Sequence, residues 1–205
     1  MARALDRVGE RWALLVVREL LFGPKRFVDL RGSLTGVSPN VLTQRLGELE
    51  EDGVILRRQL APPSNAWVYE LTERGRELEE ALLALGRWGS RAPVTPGGEL
   101  SFDALLLALR TTFTKAADTS VELRSGRDVA HACVEGGRLT IARGAASAPR
   151  AVLEAEVAVL RRVVFGDVPL DSARESGALR LEGSTAAATR FLAAFVRPRA
   201  AAKKT

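Results

Sequence analysis

His131 and Cys133 lie two residues apart and are the pair whose types could do covalent chemistry. On a strand that spacing puts both side chains on one face. A thiolate nucleophile needs a base that is itself oriented by a further group, and His131 is the one histidine in the chain. No orienting partner is identifiable, so a packed histidine beside a buried thiol is the expectation. One His and one Cys leave little basis for a transition-metal site, and neither a metal nor a cofactor is expected. Gly136-Gly137 and Gly97-Gly98 are turn and linker glycines, outside any phosphate-loop or dinucleotide fingerprint. Asp167 and Asp171 flank Val168-Pro169-Leu170 in a loop and are expected only to cap helix ends. The chain is not expected to be an enzyme.

The chemistry that remains is hydrogen-bond recognition, and it concentrates between Ser38 and Asp52. Ser38 can cap a helix through its hydroxyl, and Pro39 pre-sets φ at the first helical position. Leu42, Leu46 and Leu49 recur at helical spacing and form one apolar stripe. The opposite side carries Asn40, Thr43, Gln44 and Gly47, with negative charge held back to Glu48, Glu50, Glu51 and Asp52. A helix that enters a DNA major groove by its N-terminal end needs its carboxylates away from the phosphates. Ser38, Asn40, Thr43 and Gln44 are therefore candidates for base readout, with Arg45 on the flank near phosphate. The bland alternative is an amphipathic helix whose polar face is merely wet.

The flanking segments favour the DNA reading. Lys25 and Arg26 precede a short helix from Phe27 to Gly32, and the turn Leu34-Thr35-Gly36-Val37 leads into the Ser38 helix. That is a helix-turn-helix. Lys25 and Arg26 stand where they could meet a phosphate backbone, unless they are simply solvated cations. Residues 54–59 and 66–71 have strand composition. Leu60-Ala61-Pro62-Pro63-Ser64-Asn65 between them makes a projecting loop. Arg57 and Arg58 have no acidic neighbour between Val54 and Val68, so with Ser64 and Asn65 they are candidate backbone contacts. Helix-turn-helix plus basic hairpin is a winged helix.

Upstream, Arg11 to Phe22 is apolar almost all round and expected to be buried in a core or subunit interface. Downstream, Thr72 caps a helix with Leu78, Leu82, Leu85 and Trp88 at helical spacing. That stripe, with Trp12 and Leu15, is expected to form a homodimer interface. Residues 90–99 are Pro/Gly-rich and read as a linker.

These segments resemble a family. L-D-R-V-G-E-R-W-A-L-L-V-V-R-E-L-L-F-G-P-K-R-F-V-D-L, then S-P-N-V-L-T-Q-R-L-G-E-L-E-E-D-G, then Y-E-L-T-E-R-G-R-E-L with G-R-W-G, is similar to the HxlR-type winged-helix regulators over roughly residues 2–89. The resemblance implies a homodimeric transcription factor on a two-fold DNA site, with the dimer built by the N-terminal helices and the Thr72–Trp88 helix. Many members carry a redox-sensing Cys just before the segment that starts here at Ala2. This chain has no cysteine there, a departure from the family's pattern.

Composition sets the bounds. The chain has 205 residues, 46% hydrophobic and 27% charged, ordinary for one large or two small globular domains. No apolar run approaches the roughly 20 residues of a membrane span, and no signal-peptide pattern opens the chain. One cysteine suits a reducing cytosol, so a cytoplasmic location is expected. The net charge of +5 is a weak DNA signal, since residues 1–91 contribute only +1 of it. Residues 197–205 read as a basic disordered tail carrying Arg197, Arg199, Lys203 and Lys204.

Residues 100–196 are expected to form a second domain, an α+β sandwich with helices on one side of a mostly antiparallel sheet. Residues 151–166 and 176–195, with a G-x-L-x-L-x-G strand from Gly177 to Gly183 and a terminal helix ending in paired Phe, resemble the sterol carrier protein-like lipid-binding domain. That resemblance implies a hydrophobic tunnel between sheet and helices. Leu105, Leu109, Phe113, Leu139, Ile141, Leu160, Val164, Phe191 and Phe195 are its candidate lining, and the many helix alanines could leave room for an apolar small molecule or lipid. The same residues could equally make a filled core.

The expected fold class is thus mainly α with α+β: a winged helix-turn-helix over 1–89, then the α+β sandwich. The expected function is a DNA-binding homodimeric regulator, repression being the expected sense, whose C-terminal domain senses a hydrophobic ligand. The rival is a lipid carrier whose winged domain serves only dimerisation.

Overall fold

The computed structural model describes residues 1–90 and 100–195. The expected linker from 91 to 99, Val196 and the basic tail lie outside the described residues. The chain divides into two compact units, Met1–Leu85 and Gly86–Thr205.

The first unit opens with α1 (Ala2–Val8) and α2 (Ala13–Leu20). It continues with α3 (Phe27–Ser33), α4 (Pro39–Glu51), β1 (Ile55–Gln59) and β2 (Trp67–Leu71). α5 (Glu73–Arg76) and α6 (Leu78–Gly89) follow, and the boundary between the units falls inside α6. Ser38 caps α4 by accepting from the Val41 amide at 3.3 Å, and Pro39 takes the position where a missing N–H costs nothing. Leu42, Leu46 and Leu49 are at most 1% exposed. Burying each contributes about 1.5–3 kcal/mol, which fixes the roll of α4 and hence which of its residues face outward. Val16, Val17 and Leu20 of α2, Leu30 of α3, and Ile55 and Val68 of the hairpin complete this core.

β1 and β2 pair antiparallel from Ile55↔Leu71 to Gln59↔Trp67. Lys25 makes an isolated bridge to this hairpin, its backbone exchanging hydrogen bonds with Tyr69 at 3.0 and 2.8 Å. Thr72 caps the short α5 rather than one long helix, accepting from Gly75 N at 3.0 Å.

The second unit begins with α7 (Phe102–Thr112), β3 (Thr119–Ser125), β4 (Asp128–Glu135), β5 (Arg138–Arg143) and β6 (Ala151–Glu154). It ends with α8 (Val157–Val164), α9 (Leu170–Glu175), β7 (Arg180–Gly183) and α10 (Thr185–Leu192). α9 lies where sequence reasoning expects a loop. Its six residues are too few to show an apolar period.

The sheet order is β5-β4-β3-β6-β7, and the sheet is mixed, antiparallel but for one parallel pair, where a mostly antiparallel one is expected. β3 and β6 run parallel, from Val121↔Ala151 to Arg124↔Glu154. β5 already runs parallel to β3 because β4 lies between them. Residues 144–150 carry the chain to the other side of β3, so β6 enters in the same direction. Glu122, 1% exposed, holds this crossover by accepting from the Ala146 amide at 2.7 Å.

Val121, Leu123, Ala130, Ala132 and Leu153 are at most 1% exposed and form the apolar face of the sheet. Asp103 at the start of α7, fully buried, accepts a forked pair from Arg143 of β5 at 2.8 and 2.7 Å. Burial opposes the charge on Arg143, but its bonds to Asp103 and then Asp128 outweigh that and raise its pKa above the ordinary value.

Candidate nucleic-acid interface

With its leucines turned inward, α4 leaves Asn40, Thr43 and Gln44 exposed, and Ser38 is exposed at its tip. The Ser38 oxygen is engaged by Val41 N, while its O–H remains able to donate. The Gln44 amide donates to Glu48 Oε1 at 2.9 Å, one turn further along.

The candidate cations do not share one situation. Arg26 is exposed, and its guanidinium forks onto Asp29 at 2.9 and 3.0 Å. Asp29 also accepts from the Arg26 backbone amide at 3.1 Å, closing the start of α3. These bonds hold the Asp29 carboxyl below its usual range and raise Arg26. Lys25 departs from the expectation of an outward phosphate contact. Its backbone is locked to β2, and its Nζ turns inward to Glu19 at 2.7 Å and Ser33 Oγ at 3.4 Å. Glu19 is fully buried and also accepts from Arg18 at 2.8 Å.

Arg45 departs likewise. It is 8% exposed and faces α1, pairing with Glu48 and, at 3.4 Å, with Glu10. Its place four residues before Leu49 and one before Leu46 puts it beside the apolar stripe rather than on the outer flank.

On the hairpin, Arg58 meets Glu70 at 2.8 Å, an acidic neighbour contributed by the facing strand, and that bond raises the Arg58 pKa. Arg57 instead lies over the rings of Trp67 at 4.9 Å and Tyr69 at 6.0 Å. Trp67 is 52% exposed. It is a surface aromatic that sequence reasoning passed over, although its alternation with Arg57 across a short hairpin could have signalled it. Ser64 and Asn65 are exposed in the loop, where Asn65 adopts a positive φ of 47°.

Of the expected dimer residues, Leu82 is buried within the chain, Trp12, Leu15 and Leu78 are half-buried, and Leu85 and Trp88 are exposed, Trp88 at 77%. Arg11 covers part of Trp12, 5.0 Å from its ring.

The expected ligand lining is largely closed core. Leu105, Leu109, Leu160, Val164 and Phe191 are at most 3% exposed, and Phe195 is 6% exposed. Leu139, Ile141 and Phe113 are half-buried. The alanines of α10 let the helix approach the sheet instead of leaving space. Ala187 and Ala188 are fully buried, and Thr119 Oγ1 of β3 donates to Ala187 O at 3.4 Å. Phe191 meets Phe195 edge to face at 4.9 Å, and Phe113 lies 6.1 Å from Phe195.

His131 and Cys133 do share β4, with His131 Nδ1 3.3 Å from Gly144 O and Cys133 half-buried. No cluster of metal-ligating side chains occurs among the described residues. No helix among them is long and apolar enough to cross a membrane.

A capped helix seated after a Gly-containing turn, beside a two-stranded hairpin, defines a helix-turn-helix domain of the winged type. The HxlR-like helix-turn-helix family matches residues 7–94. The HTH-type transcriptional regulator YvaP of Bacillus subtilis (strain 168) is 35% identical over 89 residues, 43% of this chain and 82% of its own length. The chain belongs to the HxlR-like helix-turn-helix family. The HTH-type transcriptional regulator Rv3095 of Mycobacterium tuberculosis (strain ATCC 25618 / H37Rv) is 40% identical over 98 residues, 48% of this chain. The matched segment spans 61% of that relative's length. Among solved structures, the redox regulator HypR in its oxidized form is 31% identical, covering 46% of this chain and 97% of that one, with a TM-score of 0.43.

Proposed function

We propose that the chain is a transcriptional regulator that binds double-stranded DNA as a homodimer, laying α4 of each subunit in the major groove. One observation carries this reading: Asn40, Thr43 and Gln44 are exposed together, uncharged, on a helix whose opposite face is anchored by Leu42, Leu46 and Leu49. Amide and hydroxyl groups in that position match base-edge donors and acceptors. Arg57, Ser64 and Asn65 supply backbone contacts around them, and Arg26 and Arg58 contribute less because Asp29 and Glu70 already hold them. The likeness to YvaP and Rv3095, each described as an uncharacterized HTH-type transcriptional regulator, supports the same reading. The exposed Leu85 and Trp88 are the natural contact for a second subunit, and a two-fold dimer calls for half-sites about 34 Å apart.

For Gly86–Thr205 the direct seating of α10 on the sheet favours a scaffold role over carriage of lipid. The test is a gel shift on the DNA upstream of the chain's own gene, with salt titration. Specific retention is expected to weaken steeply with salt. Gln44→Ala should lose on the order of 1–3 kcal/mol at one base position and relax preference there. Equal weakening on every sequence would remove Gln44 from base readout, and no retention on any duplex would overturn the reading.

A further inference from the structure

We propose that β7 pairs with β7 of a second copy of this chain, joining their two sheets across a two-fold axis. This pairing rests on the homodimer reading above and adds a second contact to that dimer. β7 ends the sheet order, so among the described residues its outer edge has no partner strand. An unpaired edge is a template for another strand. Beside it lies an open groove of about 660 Å³, lined by Leu179, Arg180 and Leu181 and, from α9, by Asp171, Arg174 and Glu175. α9 closes the groove at one end, where the Leu179 amide donates to Ala173 O at 3.0 Å.

Backbone direction selects the register. The Ser184 amide donates to Arg150 O at 2.8 Å, and the same pairing continues through Val152↔Glu182 and Glu154↔Arg180. Bonded and non-bonded positions alternate along an antiparallel pair. Glu182 and Arg180 therefore turn their backbone groups to β6, and Leu181 between them turns its N–H and C=O to the open edge. Two copies that meet antiparallel about Leu181 exchange both of those bonds across the axis.

The same register sets Arg180 opposite Glu182 of the second copy, and Glu182 opposite its Arg180. Both side chains are exposed and already pair at 2.7 Å within the chain, so the charges form one alternating ladder. Opposite charges directly across a strand pair stabilise it, and like charges oppose it. Leu181, half-buried beside buried Leu153, gains the cover of its own copy. Gly183 comes opposite Leu179, where α9 stands, and brings no side chain to collide with it. The other edge strand, β5, contains Arg138 and Arg143 and no carboxylate, so it offers no such charge match.

Strands this short bury far less than the roughly 1,000 Å² of a stable interface. The pairing therefore forms only where the contact at Leu85 and Trp88 already holds two chains together, which raises the local concentration of β7 to the order of millimolar.

Oxidative cross-linking of the full chain reads the register. With Cys133→Ser removing the native thiol, Leu181→Cys places one sulfur on each side of the axis, at a Cα separation of about 5.5 Å that a disulfide spans. A covalent dimer is expected, with far less from Arg190→Cys on α10 in the same background and melting temperatures confirming the fold. Native mass spectrometry of mixed variants reads the charges. Arg180→Glu and Glu182→Arg each break the pair within the chain, so only a contact between chains can favour their mixture. The ratio of heterodimer to homodimers should stand roughly fivefold above random exchange. Random exchange overturns the charge pairing, and a folded dimer without the Leu181→Cys cross-link overturns the β7 contact and leaves the dimer reading standing. A monomer at every concentration overturns the dimer reading, and this pairing with it.

Discussion

Replacing Lys25 by Ala separates two roles for this residue, phosphate contact and internal counter-ion. In the structure Lys25 Nζ lies 2.7 Å from Glu19, whose side chain is fully buried. Truncation leaves that carboxylate with one fewer charge partner in a place water does not reach. Breaking a buried ion pair costs about 3–5 kcal/mol. Arg18 still donates to the other carboxylate oxygen at 2.8 Å, so the low end, about 3 kcal/mol, is expected here. For a unit the size of Met1–Leu85 that corresponds to a melting shift on the order of 10–20 °C. Thermal and urea unfolding of Lys25→Ala measures the loss. Glu19→Gln with Lys25→Met should recover part of it, because the buried carboxylate charge goes with its cation and the charge left behind, on Arg18, is partly exposed. The salt dependence of DNA affinity, measured below the melting range, should keep its slope. A flattened slope with unaltered stability would refute the inward assignment and return Lys25 to the phosphates.

Arg57→Ala should flatten the salt slope by about one unit while Arg58→Ala flattens it less, because Glu70 holds Arg58 and no acid among the described residues holds Arg57; equal slopes would show that the ion pair opens on DNA. Trp88→Glu should shift sedimentation toward monomer with unfolding unaltered, since Trp88 is 77% exposed in one chain, and a persistent dimer would place the interface elsewhere. The Asp29 carboxyl is held below its usual range by Arg26, so its contribution is present above the unfolded value of about 3.9 and lost as pH falls through the lower folded value. Asp29→Asn should therefore destabilise at neutral pH and remove part of the acid-limb decline, and parallel pH–stability curves for the two proteins would contradict this.

What the residues determined by themselves is local. Ser38, Pro39 and a leucine at each inward turn are enough to start α4, orient it and expose Asn40, Thr43 and Gln44, because capping and period act within one helix. The two hairpin strands and the turn at Gly136-Gly137 were legible for the same reason, and those glycines take positive φ as the turn requires. Only the tertiary structure decided which charges remain available. Arg58 meets Glu70 through strand pairing, Arg45 meets Glu10 through the packing of α1 on α4, and Lys25 turns to Glu19 where its backbone is bridged to Tyr69. The parallel β3–β6 pair and the seating of α10 on buried alanines were equally out of reach. Composition tells that a residue is small or charged, but the distance to its partner is fixed by how segments tens of residues apart come to pack.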